Sequence, residues 1–169
     1  RKLYRLRLEP GRLGLTECAL LVRGGAGLDA REHAGRLQSA LEHLGKRHPR
    51  RRDTVRVVLE GAFCEQPPLE LLQVLEEAGC EVVDDDLALG MRWFQDDVPE
   101  DGDPWQALSE AYRSLSPCTS VKHGRAPRAK AFLEKVRRTK AEGVVFAAPK
   151  FCEPALLDYV LLKSAIHEA

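Results

Sequence analysis

Between Asp29 and Pro49 the apolar residues Ala34, Leu37, Leu41 and Leu44 recur every three or four positions, the period of one helix face. Asp29 stands where an N-cap is needed, and Gly45 and Pro49 close the pattern, so a helix is predicted there. Ahead of it, Thr16 to Arg23 is an apolar segment too short for its period to separate helix from strand. Residues 1–15 are basic and glycine-containing, with no clear period. Beyond the basic stretch Lys46 to Arg52 the rhythm changes. Val55-Arg56-Val57-Val58-Leu59 is a β-branched run of the kind that forms a buried strand. Glu81-Val82-Val83 and Gly143-Val144-Val145-Phe146-Ala147-Ala148 read as two more strands. Helical stretches separate and follow them. One opens at Pro67 and Pro68, carries Leu69, Leu72 and Leu75, and stops at Gly79; one is capped by Asp103 with Pro104 at its first position and is lined by Trp105, Leu108, Tyr112 and Leu115. Another is marked by Phe132, Leu133 and Val136, and a last one opens at Pro154 and runs on Leu157, Val160, Leu161 and Ala165.

From residue 53 the order is strand, helix, strand, helices, strand, helix. This alternation predicts an α/β fold: a parallel sheet with helices on both faces, the flavodoxin- or Rossmann-like three-layer arrangement, with right-handed crossovers. No fourth strand follows the last helix and no initiator Met opens the chain, so the domain is expected to be truncated. An α/β domain is expected over residues 50–169, preceded by a separate segment over 1–49.

Composition narrows the functional classes. Lys and Arg number 26 and Asp and Glu number 26, so no global field exists to hold nucleic acid or an anionic membrane. The run Lys46 to Arg52 is the local exception; a solvated linker is favoured over a patch for a phosphate such as that of coenzyme A. No apolar stretch reaches the ~18 residues of a membrane span, and Arg1-Lys2-Leu3-Tyr4-Arg5 lacks the apolar core of a signal peptide. Five scattered cysteines argue against a secreted disulfide framework and for a reducing, cytoplasmic setting.

In sheets of this kind ligands sit beyond the C-terminal ends of the strands. The first strand runs into Gly61-Ala62-Phe63-Cys64-Glu65-Gln66-Pro67-Pro68, the second into Asp84-Asp85-Asp86, and the third into Pro149-Lys150-Phe151-Cys152-Glu153-Pro154. Cys64 and Cys152 both occur as Phe-Cys-Glu before a proline-opened helix. Cys152 is expected at the helix N-terminus, with Pro154 as the first helical residue. Exposed N–H groups there favour the thiolate that binds iron or acts as a nucleophile; a space-filling cysteine is the equal alternative. Cys64 lies farther from its helix, and for it space-filling is the favoured reading. Cys18 and Cys80 read as packing residues. Cys118 and His123 form a conceivable metal pair without further ligands, and a plain loop is favoured. The triple aspartate either binds a divalent cation or serves structure, the latter favoured, and the five histidines read as surface. No CxxC knuckle, G-x-G-x-x-G, Walker A or G-x-S-x-G motif is present. The residues alone therefore describe an α/β module with one or two edge thiols.

Phe63-Cys64-Glu65-Gln66-Pro67-Pro68, Gly79-Cys80-Glu81-Val82-Val83-Asp84-Asp85-Asp86-Leu87 with Gly90-Met91-Arg92, Asp101-Gly102-Asp103-Pro104, and Ala141 to Asp158 follow one another in an order and spacing that resemble the benzoyl-CoA reductase / 2-hydroxyacyl-CoA dehydratase family. The likeness is strong over about residues 50–169 and weak over 1–49. The Phe-Cys-Glu-Gln-Pro-Pro and Asp-Gly-Asp-Pro stretches look most like the smaller cluster-bearing subunit of its ATP-dependent benzoyl-CoA reductase branch. The resemblance implies two related α/β domains with a [4Fe-4S] cluster between them, held by cysteines of both. It assigns Cys152, in the Phe-Cys-Glu-Pro motif, as the C-terminal domain's ligand; on that reading Cys64, Glu65 and Glu153 are expected to line the active site, with Cys64 either lining it or supporting the ligand from behind. No catalytic residue is assigned. Residues 1–49 become a helical remnant of the interdomain region, which turns Thr16 to Arg23 into helix. The implied partners are a homologous second cluster-bearing subunit, an ATP-hydrolysing activator fed by ferredoxin, and an aromatic acyl-CoA whose ring is reduced to a cyclic diene. Cys152 alone cannot hold a cubane cluster, so the isolated chain is expected to be inactive. Two alternatives stand beside this: a 2-hydroxyacyl-CoA dehydratase subunit, and a non-catalytic interaction module of the same fold. Many dehydratase relatives have a cysteine after the paired aspartates where this chain has Ala88, which favours the reductase.

Overall fold

The first strand in the sequence lies in the middle of the sheet. The computed structural model describes residues 1–49, 53–61, 66–92, 97–114 and 124–169. Among these, the strands β1 (Val55–Glu60), β2 (Cys80–Asp85) and β3 (Gly143–Phe146) are ordered β2-β1-β3. The helices are α1 (Lys2–Arg7), α2 (Leu15–Arg23), α3 (Ala30–Lys46), α4 (Leu69–Glu77), α5 (Pro104–Ser114), α6 (Arg125–Thr139) and α7 (Glu153–His167). β1 pairs in parallel with both neighbours. Val57, Val58 and Leu59 are all buried, which is why that run is continuously apolar instead of alternating. The β1–β2 register shifts between Val57, opposite Val82, and Val58, opposite Asp84. The shift takes Val83 out of step and re-aims the aspartates that follow.

The two faces of the sheet differ in character. Val57, Leu59 and Val82 pack with Leu72 of α4 and with Leu15 and Ala19 of α2, with Val145 of β3 against the same cluster. Alternation turns Val58 and Glu60 to the other face. There α6 brings Arg128 and Lys135 to the Glu60 carboxylate. The α4 crossover and the α5–α6 crossover therefore cover opposite faces, as a constant crossover hand requires when the chain reverses direction across a sheet. The reversal falls between β1 and β3.

Local chemistry accounts for most elements. The Asp29 carboxylate accepts from Arg31 N at 2.9 Å and from Glu32 N at 3.4 Å, capping α3. Asp103 does the same for Trp105 N at 3.1 Å, at the start of α5. Gly79 ends α4 with φ +85°, a left-handed turn open to glycine. α2 resolves the ambiguous segment as helix, with Leu15, Cys18 and Ala19 buried on one face.

Three expectations need correcting. α1 lies where no period was legible, because its buried face is Leu3 and Arg7, a charge in an apolar position. The Trp105, Leu108 and Tyr112 stripe of α5 does not line a core: Trp105 is 81% exposed and Ala107 is the helix's buried residue, while Leu115 lies outside the described residues. On α7, Leu157 is 73% exposed and Val160 also faces outward; Ala155, Leu162 and Ala165 are the buried positions. Both helices carry apolar residues on more than one side, so period alone could not choose the inner face. Among the described residues no helix is long and apolar enough to cross a membrane.

Candidate functional site at the strand ends

The crevice beyond the C-terminal ends of β1 and β3 is where a doubly wound sheet binds ligands, because crossovers leave in opposite directions and open a gap there. The ladder runs to its rim: Glu60 pairs with Phe146, and Ala147 N donates to Glu60 O at 2.8 Å. The chain then turns through Pro149 to Cys152, with Cys152 N donating to Pro149 O at 3.1 Å. Phe151 is held at φ +66°, a left-handed conformation that costs a bulky residue energy. Its ring is 84% exposed, with the Lys150 ammonium 4.9 Å from its centroid.

Cys152 is the N-cap of α7. Its carbonyl accepts from Leu156 N at 3.1 Å, and its side chain is half-buried. Pro154 is the second helical residue, not the first, so the thiol sits one position closer to the helix than the sequence suggested. Glu153 is the first helical residue and is exposed. Cys64 and Glu65 lie outside the described residues. Next to them, Gln66 has both amide atoms buried with no hydrogen-bond partner among the described residues. Among those residues no group of three or more His, Cys, Asp or Glu is arranged to hold a metal ion. The donor chemistry at Cys152 fits one thiolate ligand of a cluster shared with other protein; it does not fit a cluster held by the described residues alone.

Beside the crevice lies an ion network that the sequence did not reveal. The triple aspartate is its centre, which supports the structural reading of that motif. Asp84 accepts from Arg138 Nη2 at 2.7 Å. Asp85 pairs with Arg7, accepts from Tyr4 Oη at 3.1 Å, and caps Leu87 N at 3.1 Å. Asp86 pairs with Arg92 at 3.0 Å and with Arg128 at 3.3 Å. Glu60 pairs with Lys135 at 2.6 Å and with Arg128 at 3.2 Å. Burial works against the Lys135 charge, but Glu60, Asp86 and Asp84 outweigh it and hold the ammonium above its ordinary range. A cavity of about 420 Å³ opens off this network, lined by Arg5, Arg92, Lys135 and Arg138 among others. Gly90 belongs to the arrangement: a Cβ there would collide with Tyr4 Oη. The one available sequence signal was Glu60, a carboxylate closing a buried apolar strand.

The other candidates sort cleanly. Cys80 opens β2 and packs against the main core, and Cys18 is buried with Leu3, Leu13 and Leu44. Cys118 and His123 lie outside the described residues. Arg47 of the basic run pairs with Glu17 at 2.7 Å, and His48 is exposed. His33 departs from the surface reading: half-buried, its Nε2 lies 2.8 Å from Leu21 O and ties α3 to α2.

Burial pushes the Cys18 thiol from 9.0 up to about 11, although Arg7 beside it pulls the other way. The unfolded chain releases that proton first, so folding stability falls as pH rises between about 9 and 11, at up to ~1.4 kcal/mol per pH unit. Urea titrations across that window should show a steeper alkaline loss for the wild type than for Cys18→Ala; parallel pH profiles would contradict the assignment.

Comparison with known proteins follows the same direction. The family model of 2-hydroxyglutaryl-CoA dehydratase, D-component, matches residues 1–169. The chain is similar to a benzoyl-CoA reductase subunit of Thauera aromatica, at 40% identity over 95% of this chain and 42% of that protein. It is also similar to the (R)-phenyllactyl-CoA dehydratase beta subunit of Clostridium sporogenes, at 26% identity over 95% of this chain and 42% of the relative. The beta subunit of lactoyl-CoA dehydratase from Anaerotignum propionicum matches 69% of the chain, and 31% of its own length, at 31% identity. The chain thus spans less than half the length of the relatives it matches.

Proposed function

The chain belongs to the 2-hydroxyglutaryl-CoA dehydratase D-component family, and from that premise we propose that it is part of an iron–sulfur subunit of an ATP-dependent aromatic acyl-CoA reductase. The observation that carries the reductase reading is the 40% identity to a benzoyl-CoA reductase subunit over 95% of the chain. The placement of Cys152 at the helix end beyond β3 supports its role as the cluster ligand given by this domain. The remaining ligands come from an N-terminal domain, a second, homologous subunit makes up the active unit, and an ATP-hydrolysing activator delivers electrons from ferredoxin, in the cytoplasm.

A bound [4Fe-4S] cluster supplies single electrons at low potential. Ring reduction consumes two electrons and two protons and turns benzoyl-CoA into a cyclic diene. This chain's part is to hold and orient. Cys152 presents its sulfur from the N-cap of α7, beyond the end of β3. Glu153, the first residue of α7, stands at the crevice next to Cys152, and Cys64 and Glu65, which lie outside the described residues, are the other two residues this reading assigns to the lining.

A second reading rests on the two dehydratase relatives: the same scaffold would serve removal of water from a 2-hydroxyacyl-CoA. A third is a non-catalytic module without a cluster. Assaying the complete complex, with its activator and ATP, on benzoyl-CoA and on a 2-hydroxyacyl-CoA separates them. Ring reduction alone is the expected outcome. Dehydration alone would install the second reading, and a purified complex without iron or either activity would install the third.

A further inference from the structure

α7 carries Cys152 at its cap, and what fixes α7 fixes the thiol. Few of its large side chains help: Leu156, Leu157, Val160 and Ile166 face outward, and the helix buries Ala155, Leu162 and Ala165. Two of those three are alanines; Leu162 and the Tyr159 ring, 5.2 Å from the Phe146 ring of β3, give α7 its apolar seat. A polar anchor adds to this seat. Asp158, six residues after Cys152, accepts from Arg128 Nε at 3.2 Å. Six residues at 1.5 Å each place this anchor about 9 Å along the helix axis from the cap.

The same guanidinium reaches the sheet. Arg128 Nη2 lies 3.2 Å from Glu60 Oε2 and 3.3 Å from Asp86 Oδ2. Arg128 is itself buried, and so are Glu60 and Asp86. One rigid, planar group therefore joins the C-terminal end of β1, the residue following β2, and α7, from its seat on α6. Glu60 keeps Lys135 as a second cation and Asp86 keeps Arg92, so each sheet-end carboxylate is held independently of Arg128. The frame is fixed without α7, and Arg128 docks α7 to it.

We propose that Arg128 and Asp158 are positioning residues for the Cys152 thiol, setting the height and angle at which α7 presents it over the crevice. This rests on the reading of Cys152 as a cluster ligand. Groups that orient a metal ligand from behind tune both retention and electronic properties of the metal centre, typically by 10- to 100-fold in affinity.

The test uses the complete enzyme complex carrying Asp158→Asn, Asp158→Glu or Arg128→Lys. Asp158→Asn keeps shape and drops the charge; Asp158→Glu restores the charge. Arg128→Lys keeps a cation but cannot span three carboxylates. Three quantities are read: the g-values of the reduced cluster's electron paramagnetic resonance signal, its midpoint potential, and the rate of iron loss to a chelator. Asp158→Asn and Arg128→Lys should shift the signal and the potential and speed iron loss by roughly 10-fold. Asp158→Glu should recover most of the effect. Should Arg128→Lys fail to assemble, the two Asp158 variants decide the matter alone. An unchanged signal, potential and rate in Asp158→Asn, in a complex whose cluster requires Cys152, would overturn the positioning role and leave the ligand assignment standing. A cluster that survives Cys152→Ser would remove the ligand assignment itself, and this inference with it.

Discussion

Replacing Arg7 by methionine should destabilise the fold by about 3–5 kcal/mol, the range seen when one partner of a buried ion pair is removed. Both side chains of the Arg7–Asp85 pair are 1% exposed. Arg7 also donates to Val82 O, at 2.7 Å from Nη2 and 3.2 Å from Nε. Methionine fills the space but leaves the Asp85 charge buried and the Val82 carbonyl short of its donors. The effect should be reciprocal and largely electrostatic. Asp85→Asn in the same chain removes the orphaned charge while keeping an oxygen for Tyr4 Oη and Leu87 N, so the double variant should recover part of the loss. Urea denaturation followed by circular dichroism measures all four corners of the cycle. Costs that simply add would show that the two residues are not coupled, against the geometry.

This pair also shows where the sequence stops being legible. Arg7 and Asp85 are 78 positions apart, and Lys135 and Glu60 are 75 apart. Periodicity reports on one element at a time, so a charge that crosses between elements reads as surface. Arg7 even disguised its own helix, since it occupies the inward position four residues after Leu3. The strands were legible for the opposite reason. Val57, Val58 and Leu59 are enclosed by neighbours on both faces, and that demand writes itself into consecutive residues. The caps at Asp29 and Asp103 and the stop at Gly79 are equally local, and the structure keeps each of them.

The site divides along the same line. That ligands collect beyond the strand ends followed from fold rules, and the parallel pairing of β1 with β3 sends the segment that carries Cys152 out from the edge where β1 ends. Cys152 at a helix cap followed from Pro154, with an error of one position. The buried carboxylate–arginine scaffold behind it was invisible, because Arg128 and Asp158 look like ordinary surface charges on amphipathic helices. On α5 and α7 the failure ran the other way. Apolar residues there exceed what one inner face can use, and several remain outward among the described residues.

The central claim is that Cys152 is this domain's cluster ligand, and it predicts the largest functional effect of any single substitution. A helix terminus contributes roughly 0.3–1 kcal/mol toward a nearby anion when exposed, and up to ~2 when partly buried. A contribution of that size cannot replace a lost iron–sulfur bond, so serine at this position should not hold the cluster. Cys18 and Cys80 lie in apolar clusters, and their serine variants should cost packing alone. The deciding measurement is iron and sulfide content, with the electron paramagnetic resonance signal of the reduced protein, for the complete subunit and its four serine variants at Cys18, Cys64, Cys80 and Cys152. The account predicts that Cys152→Ser loses most of its iron and its signal, while Cys18→Ser and Cys80→Ser keep both. If Cys152→Ser keeps its iron and its signal while Cys64→Ser loses both, the ligand is Cys64 and the assignment of Cys152 is wrong.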